Sequence, residues 1–245
     1  KLPPMTVALD YDAQYDLNQG SLSLNDVKLG LNGVVLAITG QISNLTKSMA
    51  ADVRIKADRV NTADLIKLLP PDKLAAMADF TIKGDFGFDA SVAYDSLAIP
   101  ALKYSGSAVI NDFAMTRKGL DGELKIRRIP LEFALDKLKL AIEDGQYASQ
   151  PFGGNLEIDK FADPDIKGAF NGNLDLAFLQ PFLPQAGKPE LKGKASADLT
   201  FAGRPKDAAS MNVAGQLTVS DASFTDSLLP EPITKFDAVM ALKKD

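Results

Sequence analysis

The chain of 245 residues contains no cysteine, no histidine and no tryptophan. Without cysteine there is no disulfide, no thiolate nucleophile and no iron–sulfur cluster. Without histidine there is no imidazole for a triad or an acid–base pair, and the usual zinc donors are missing. Long apolar runs are also absent: Val34-Val35-Leu36-Ala37-Ile38 spans five residues, where a membrane-crossing helix needs about 20. The opening Lys1-Leu2-Pro3-Pro4 lacks the apolar segment of a secretory leader, and the pattern that follows starts abruptly, as expected of a piece of a longer chain. Clusters of basic residues are missing, and 27 Lys+Arg against 32 Asp+Glu leave a net charge of −5, which argues against a nucleic-acid partner. Glutamate is scarce, with 6 Glu beside 26 Asp. Glu favours helix interiors and Asp favours turns and caps, so the bias, with 18 Gly and 14 Pro, predicts strands and turns.

What is present is alternation with a period of two. Val7, Leu9, Tyr11, Ala13, Tyr15 and Leu17 alternate with mostly polar residues. So do Phe80, Ile82, Phe86, Phe88, Ala90, Val92 and Tyr94, then Leu191, Ala195, Ala197, Leu199 and Phe201, then Val213, Leu217 and Val219. Each such segment reads as a strand with one greasy and one wet face. Leu131, Phe133 and Leu135 open another, continued by Leu138, Leu140 and Ile142 after a phase slip at Asp136-Lys137 that suggests a bulge. About a dozen or more segments joined by short turns predict long antiparallel meanders. Two stretches depart from this. Asn61 to Pro70 begins with a capping residue and carries Leu at helical spacing, so a short helix is expected near 62–78; a second, shortened by Pro181, is expected near 176–184.

These stretches recur. Gly40-Gln41-Ile42 matches Gly154-Asn155-Leu156, and Leu69-Pro70 matches Leu183-Pro184, both at an offset of 114 residues. Ile82-Lys83-Gly84 matches Leu191-Lys192-Gly193, and Ile110-Asn111-Asp112 matches Val219-Ser220-Asp221, both at 109. A five-residue loss between helix and strand explains the change of offset. The expected organisation is therefore two tandem β repeats, residues 1–124 and 125–245, each with one short helix. The expected fold is mainly β: a long, twisted or curled antiparallel sheet, one continuous β-groove, with the helices packed on or capping its apolar face. A closed sandwich or barrel with an ordinary core is the competing architecture.

If the groove is open, the apolar parity of the strands lines it: Ile82, Phe86, Phe88 and Val92, and Leu199, Phe201, Leu217 and Val219, with Lys83, Asp85, Asp198 and Thr200 facing water. Other candidates have plain readings. Asp10, Asp12 and Asp16 read as a solvated strand face, not a calcium cluster. Asp163-Pro164-Asp165 reads as a turn, Arg127-Arg128 as a solvated or ion-paired edge, and Gly153-Gly154 and Gly30-Leu31-Asn32-Gly33 as turn glycines, not phosphate loops. No catalytic residue, metal ligand set or cofactor motif is found, so no enzyme is expected.

The strand–turn–glycine–strand run from Leu22 to Gly40, the passage from Val60-Asn61 into Leu68-Leu69-Pro70, and the stretch from Leu191 to Arg204 followed by Gly215 to Phe224 and Pro230 to Ile233 resemble AsmA-like proteins, relatives of the TamB-type and other bridge-like lipid-transfer proteins. The resemblance covers most of the chain, through low-specificity motifs. It implies a periplasmic module of a bacterial envelope protein, held at the inner membrane by a transmembrane segment outside this sequence. It implies a part in outer-membrane biogenesis, by sheltering or conducting phospholipid or other acyl chains along an apolar groove, with envelope proteins as further partners. The alternative is a structural or adhesive β-repeat with a closed core and a protein partner.

Overall fold

A computed structural model describes residues 6–45, 48–118, 122–177, 190–226 and 231–243. In chain order these form β1 (Val7–Asp16), β2 (Ser21–Leu31), β3 (Val34–Ser43), β4 (Ala50–Asn61), α1 (Thr62–Ile66), α2 (Pro71–Ala76), β5 (Phe80–Asp95), β6 (Leu102–Arg117), β7 (Leu124–Ala134), β8 (Lys137–Tyr147), β9 (Gln150–Asp159), β10 (Asp165–Asp175), β11 (Glu190–Gly203), β12 (Asn212–Thr225) and β13 (Ile233–Leu242). The strands make one open, antiparallel, thirteen-stranded sheet in which every neighbour in space is a neighbour in sequence. Two compact units are distinguished, Lys1–Met115 with Arg128–Leu138, and Thr116–Arg127 with Lys139–Asp245.

In the first unit, the register turns sequence alternation into a two-faced surface. Tyr11, Val27, Ile38, Ile55 and Ala90 oppose one another in turn across β1 to β5. The next rows are Ala13, Leu24, Gly40, Val53, Val92 and Tyr15, Leu22, Ile42, Ala51, Tyr94. Directly opposed residues share a face, so this face is apolar over five strands. Bulges keep it so. The register shifts between Leu24 and Val27, and again between Ala57 and Val60, where extra residues return an out-of-phase apolar run to the same side. The opposite face carries rows such as Asp10, Lys28, Ala37, Lys56, Asp89.

The helix expected near 62–78 is present as α1 and α2. The Asn61 side chain accepts the Ala63 N–H at 2.8 Å, satisfying one of the free donors of the first turn. Thr62 is buried and its hydroxyl donates to the Gly84 carbonyl at 2.9 Å. Pro71 opens α2, where its missing N–H costs nothing. Leu65 and Leu68 pack with Leu36 and Phe88 on the buried cluster of Val34, Ala57 and Val60, so α1 and the turn after it cover part of the apolar face. Of the second expected helix, residues 178–184 lie outside the described residues; Leu176, just before them, is buried.

In the second unit the apolar rows are Phe152, Gly172, Ala197, Leu217, Met240 and Gly154, Phe170, Leu199, Gly215, Leu242. Glycine and phenylalanine complement each other here. A Cβ on Gly172 would lie 2.7 Å from the Phe152 Cβ, and one on Gly145 would lie 2.7 Å from the Phe152 ring. The rings occupy the space above strand glycines, which restores apolar contact where the backbone is bare.

Three turn readings are corrected. The phase slip at Asp136-Lys137 is no bulge: Leu135-Asp136 form the two-residue turn between β7 and β8. Such a turn also brings the alternation back one position out of phase, so sequence alone does not separate the two. Gly153-Gly154 are not turn glycines but lie inside β9, where Gly154 faces the backbone of Ala169 and Phe170 too closely for a side chain. Gly30 lies in β2 beside Ala8; the turn is Asn32-Gly33, both with positive φ (50° and 92°), as a tight hairpin requires.

Candidate functional site

The candidate surface is the apolar face, taken unit by unit. On β5, Ile82, Phe86, Phe88 and Val92 are all half-buried. Phe86 and Phe88 are ring neighbours with centroids 5.7 Å apart, and they stand opposite Val60 and Ala57, while Val92 stands opposite Val53. Phe88 touches the buried cluster under α1. On the other parity Lys83 is exposed, and Asp85 is half-buried because Arg59 reaches it at 2.9 Å.

In the second unit Leu199, Phe201, Leu217 and Val219 are half-buried, and Asp198 and Thr200 are exposed. Register brings the four together: Phe201 opposes Val213, Leu217 opposes Ala197, Val219 opposes Ala195, and Leu199 lies between Phe170 and Gly215. Sequence reasoning passed over Phe152 and Phe170, which stack at 6.5 Å. It also passed over Leu176, Phe224 and Phe236, which join Leu191 and Val219 around an apolar hollow of about 280 Å³. The alternation Phe152-x-Gly154 and Phe170-x-Gly172 was the available signal, hidden at the first by reading Gly153-Gly154 as a turn.

Large apolar residues stay in reach of solvent, among them Tyr11 (69%), Phe170 (41%) and Phe236 (50%). Among the described residues no large side chain is fully buried, the buried apolar ones being few: Val34, Ala57, Val60, Ala90, Ile126, Leu176 and Ala222.

The polar face is held by ion pairs. Arg54 donates from Nε to Asp89 at 2.6 Å. Hydrogen bonding from Arg54 outweighs the desolvation of Asp89 and, with attraction from Arg54 and Lys56, holds its carboxyl below the ordinary carboxylate range; the same pairing raises Arg54. Asp26 beside Lys28 raises that ammonium. Glu157 sits between Lys139 and Lys167. Arg127 pairs with Glu143 and Asp144. Asp163 falls in the turn before β10 and Asp165 begins that strand.

Among the described residues no group of three acidic side chains could hold a metal ion, and no helix is long and apolar enough to cross a membrane. No protein-family model, curated protein or solved structure matches the chain.

Proposed function

We propose that this chain is a non-enzymatic module that shelters the acyl chains of phospholipids on its apolar face, as the AsmA-like resemblance implies. One observation carries the reading: a face that is apolar row after row, from Tyr11 to Ala90 in the first unit and from Phe152 to Met240 in the second, keeps large side chains in reach of solvent. An acyl chain laid along such rows is kept from water at about 0.8 kcal/mol per methylene. Many near-equivalent contacts hold it without fixing it, which suits movement more than storage. Recognition then falls on the chains and little on the headgroups, so selectivity among diacyl lipids is low. The reading places the module in the periplasm, attached to the inner membrane through another segment, in the service of outer-membrane biogenesis.

The two-repeat organisation belongs to the same reading. Gly84 (φ 135°) faces Asp112 (φ 51°) on the next strand, and Gly193 (φ 120°) faces Asp221 (φ 50°), each pair displaced by 109 residues from the other. Two unusual backbone pairs at one offset support duplication.

Native mass spectrometry of the gently purified protein, with lipid extraction alongside, tests the function. Phospholipid adducts are expected, and Phe170→Asp, at an exposed position, and Phe88→Asp, at a packed one, are expected to remove them. Protein free of lipid, or adducts indifferent to Phe170→Asp in a folded variant, would leave the structural β-module instead.

A further inference from the structure

The second unit has a hollow on its other face. A groove of about 990 Å³ runs across the polar side of the strands from β7 to β12. Its lining comes mostly from that side: Asn171, Asn173, Ser196, Asp198, Gln216 and Thr218 are of the polar parity, while Phe152, Gly172 and Ala197 of the apolar row also border it. Two rows of side chains form its floor. Asn171, Asp198 and Gln216 oppose one another on β10, β11 and β12, and Asn173, Ser196 and Thr218 make the parallel row two residues away. Among the described residues, none of these six side chains has a hydrogen-bond or ionic partner. At one end Arg127 is already engaged by Glu143 and Asp144.

The chemistry of the groove narrows its ligand. The two floor rows offer amides, hydroxyls and one carboxylate, which together donate and accept in close alternation. The formal charge is negative, one arginine against Glu143, Asp144 and Asp198, so phosphate and sulfate esters are repelled. Ile142, Pro151 and Phe152 also line the groove, but its two floor rows are polar throughout, which does not suit an acyl tail. The strands beneath are paired on both sides, so a peptide finds no free edge to extend. A single carboxylate among the six does not make a cation site. What fits is a neutral, extended, hydroxyl-rich molecule, bonded laterally to side chains spaced about 4.8 Å from strand to strand, close to the repeat of a pyranose chain.

We propose that this groove is a binding site for a neutral oligosaccharide chain lying across β9 to β12, with Asp198 at its centre. Asp198 accepts from two vicinal hydroxyls, and Asn171, Asn173 and Gln216 each donate and accept through one amide.

Titration calorimetry of the whole chain against maltohexaose, cellohexaose and chitohexaose, with a heparin hexasaccharide as the anionic control, tests it. Saturable binding of at least one neutral hexasaccharide is expected, weakened about tenfold or more by Asp198→Ala, since a charge-assisted bond is lost. Asn171→Ala with Asn173→Ala should weaken it likewise, and Phe170→Asp on the opposite face should leave it unchanged. All four substitutions replace exposed side chains, and circular dichroism confirms that each variant folds. Absence of binding by all three neutral probes, stronger binding of the heparin probe, or indifference to Asp198→Ala would overturn the proposal. Loss on Phe170→Asp would transfer the binding to the apolar face.

Discussion

The ring of Phe201 lies over Gly168, its directly opposed partner on the neighbouring strand, so closely that a Cβ on Gly168 would come within 2.7 Å of the ring Cζ. The pair is one unit: the glycine leaves the space and the phenylalanine fills it. The Asn155 carbonyl on the other flank closes the same space.

Gly168→Ala is therefore expected to destabilise the protein by about 1–3 kcal/mol, although alanine has the better strand propensity in isolation, because overpacking forces ring and backbone apart. Adding Phe201→Leu should recover part of the loss and not all, since the Asn155 carbonyl remains. Denaturant unfolding of the two single variants and the double variant measures the coupling.

Thr62 joins the helix start to the sheet. Its hydroxyl satisfies the Gly84 carbonyl from a position only 8% exposed. Thr62→Val keeps the shape and removes the donor, with an expected loss of about 1–2 kcal/mol in denaturant unfolding. Thr62→Ser keeps the donor and is expected to lose less.

The Arg54–Asp89 pair sets a pH dependence. Asp89 is held below its unfolded value, so its contribution is present above about pH 4 and disappears as pH falls through the folded value. Arg54→Met should lower the melting temperature at about pH 7, and the gap to the parent protein should narrow as pH falls below about 4 and Asp89 takes up its proton. A gap that stays constant across that range would show that the arginine acts by packing alone.

Much of the fold was legible in alternation. Tyr11, Val27, Ile38, Ile55 and Ala90 are apolar members of five separate runs, and a shared face follows from parity once the strands pair in order. Asn61 marked the first helix because capping is local, whereas Pro71, which reads as its stop, opens α2 instead. Phase slips were ambiguous: at Asp136 a turn and a bulge leave the same trace, whereas at Asn25 the slip was a bulge inside one strand. The polar groove was hidden for a different reason. Asn171, Asp198 and Gln216 are 27 and 18 residues apart, and each alone is an ordinary wet-face residue. Only the register aligns them.

The first strand presents the final case. All ten residues of β1 are exposed, and it pairs with β2 on one side. Val7, Leu9, Tyr11 and Tyr15 share the apolar face, and Asp10, Asp12 and Asp16 share the other. An exposed edge with apolar side chains is a template for another strand. Two copies joined by a two-fold axis would pair β1 with β1 in antiparallel fashion, which brings the aspartates of both copies onto one face, where like charges oppose association. The aspartates thus guard the edge. Asp16 also accepts the N–H groups of Asn18 and Gln19 in the following turn, so the test leaves it in place. Asp10→Thr with Asp12→Thr removes the guard and raises strand propensity, and is expected to drive concentration-dependent dimerisation. The parent protein is expected to self-associate more as salt rises and screens the aspartates. Sedimentation velocity over a range of concentration and salt reads both effects. A double variant that stays monomeric at every concentration where the parent does would show that the charges do not protect this edge.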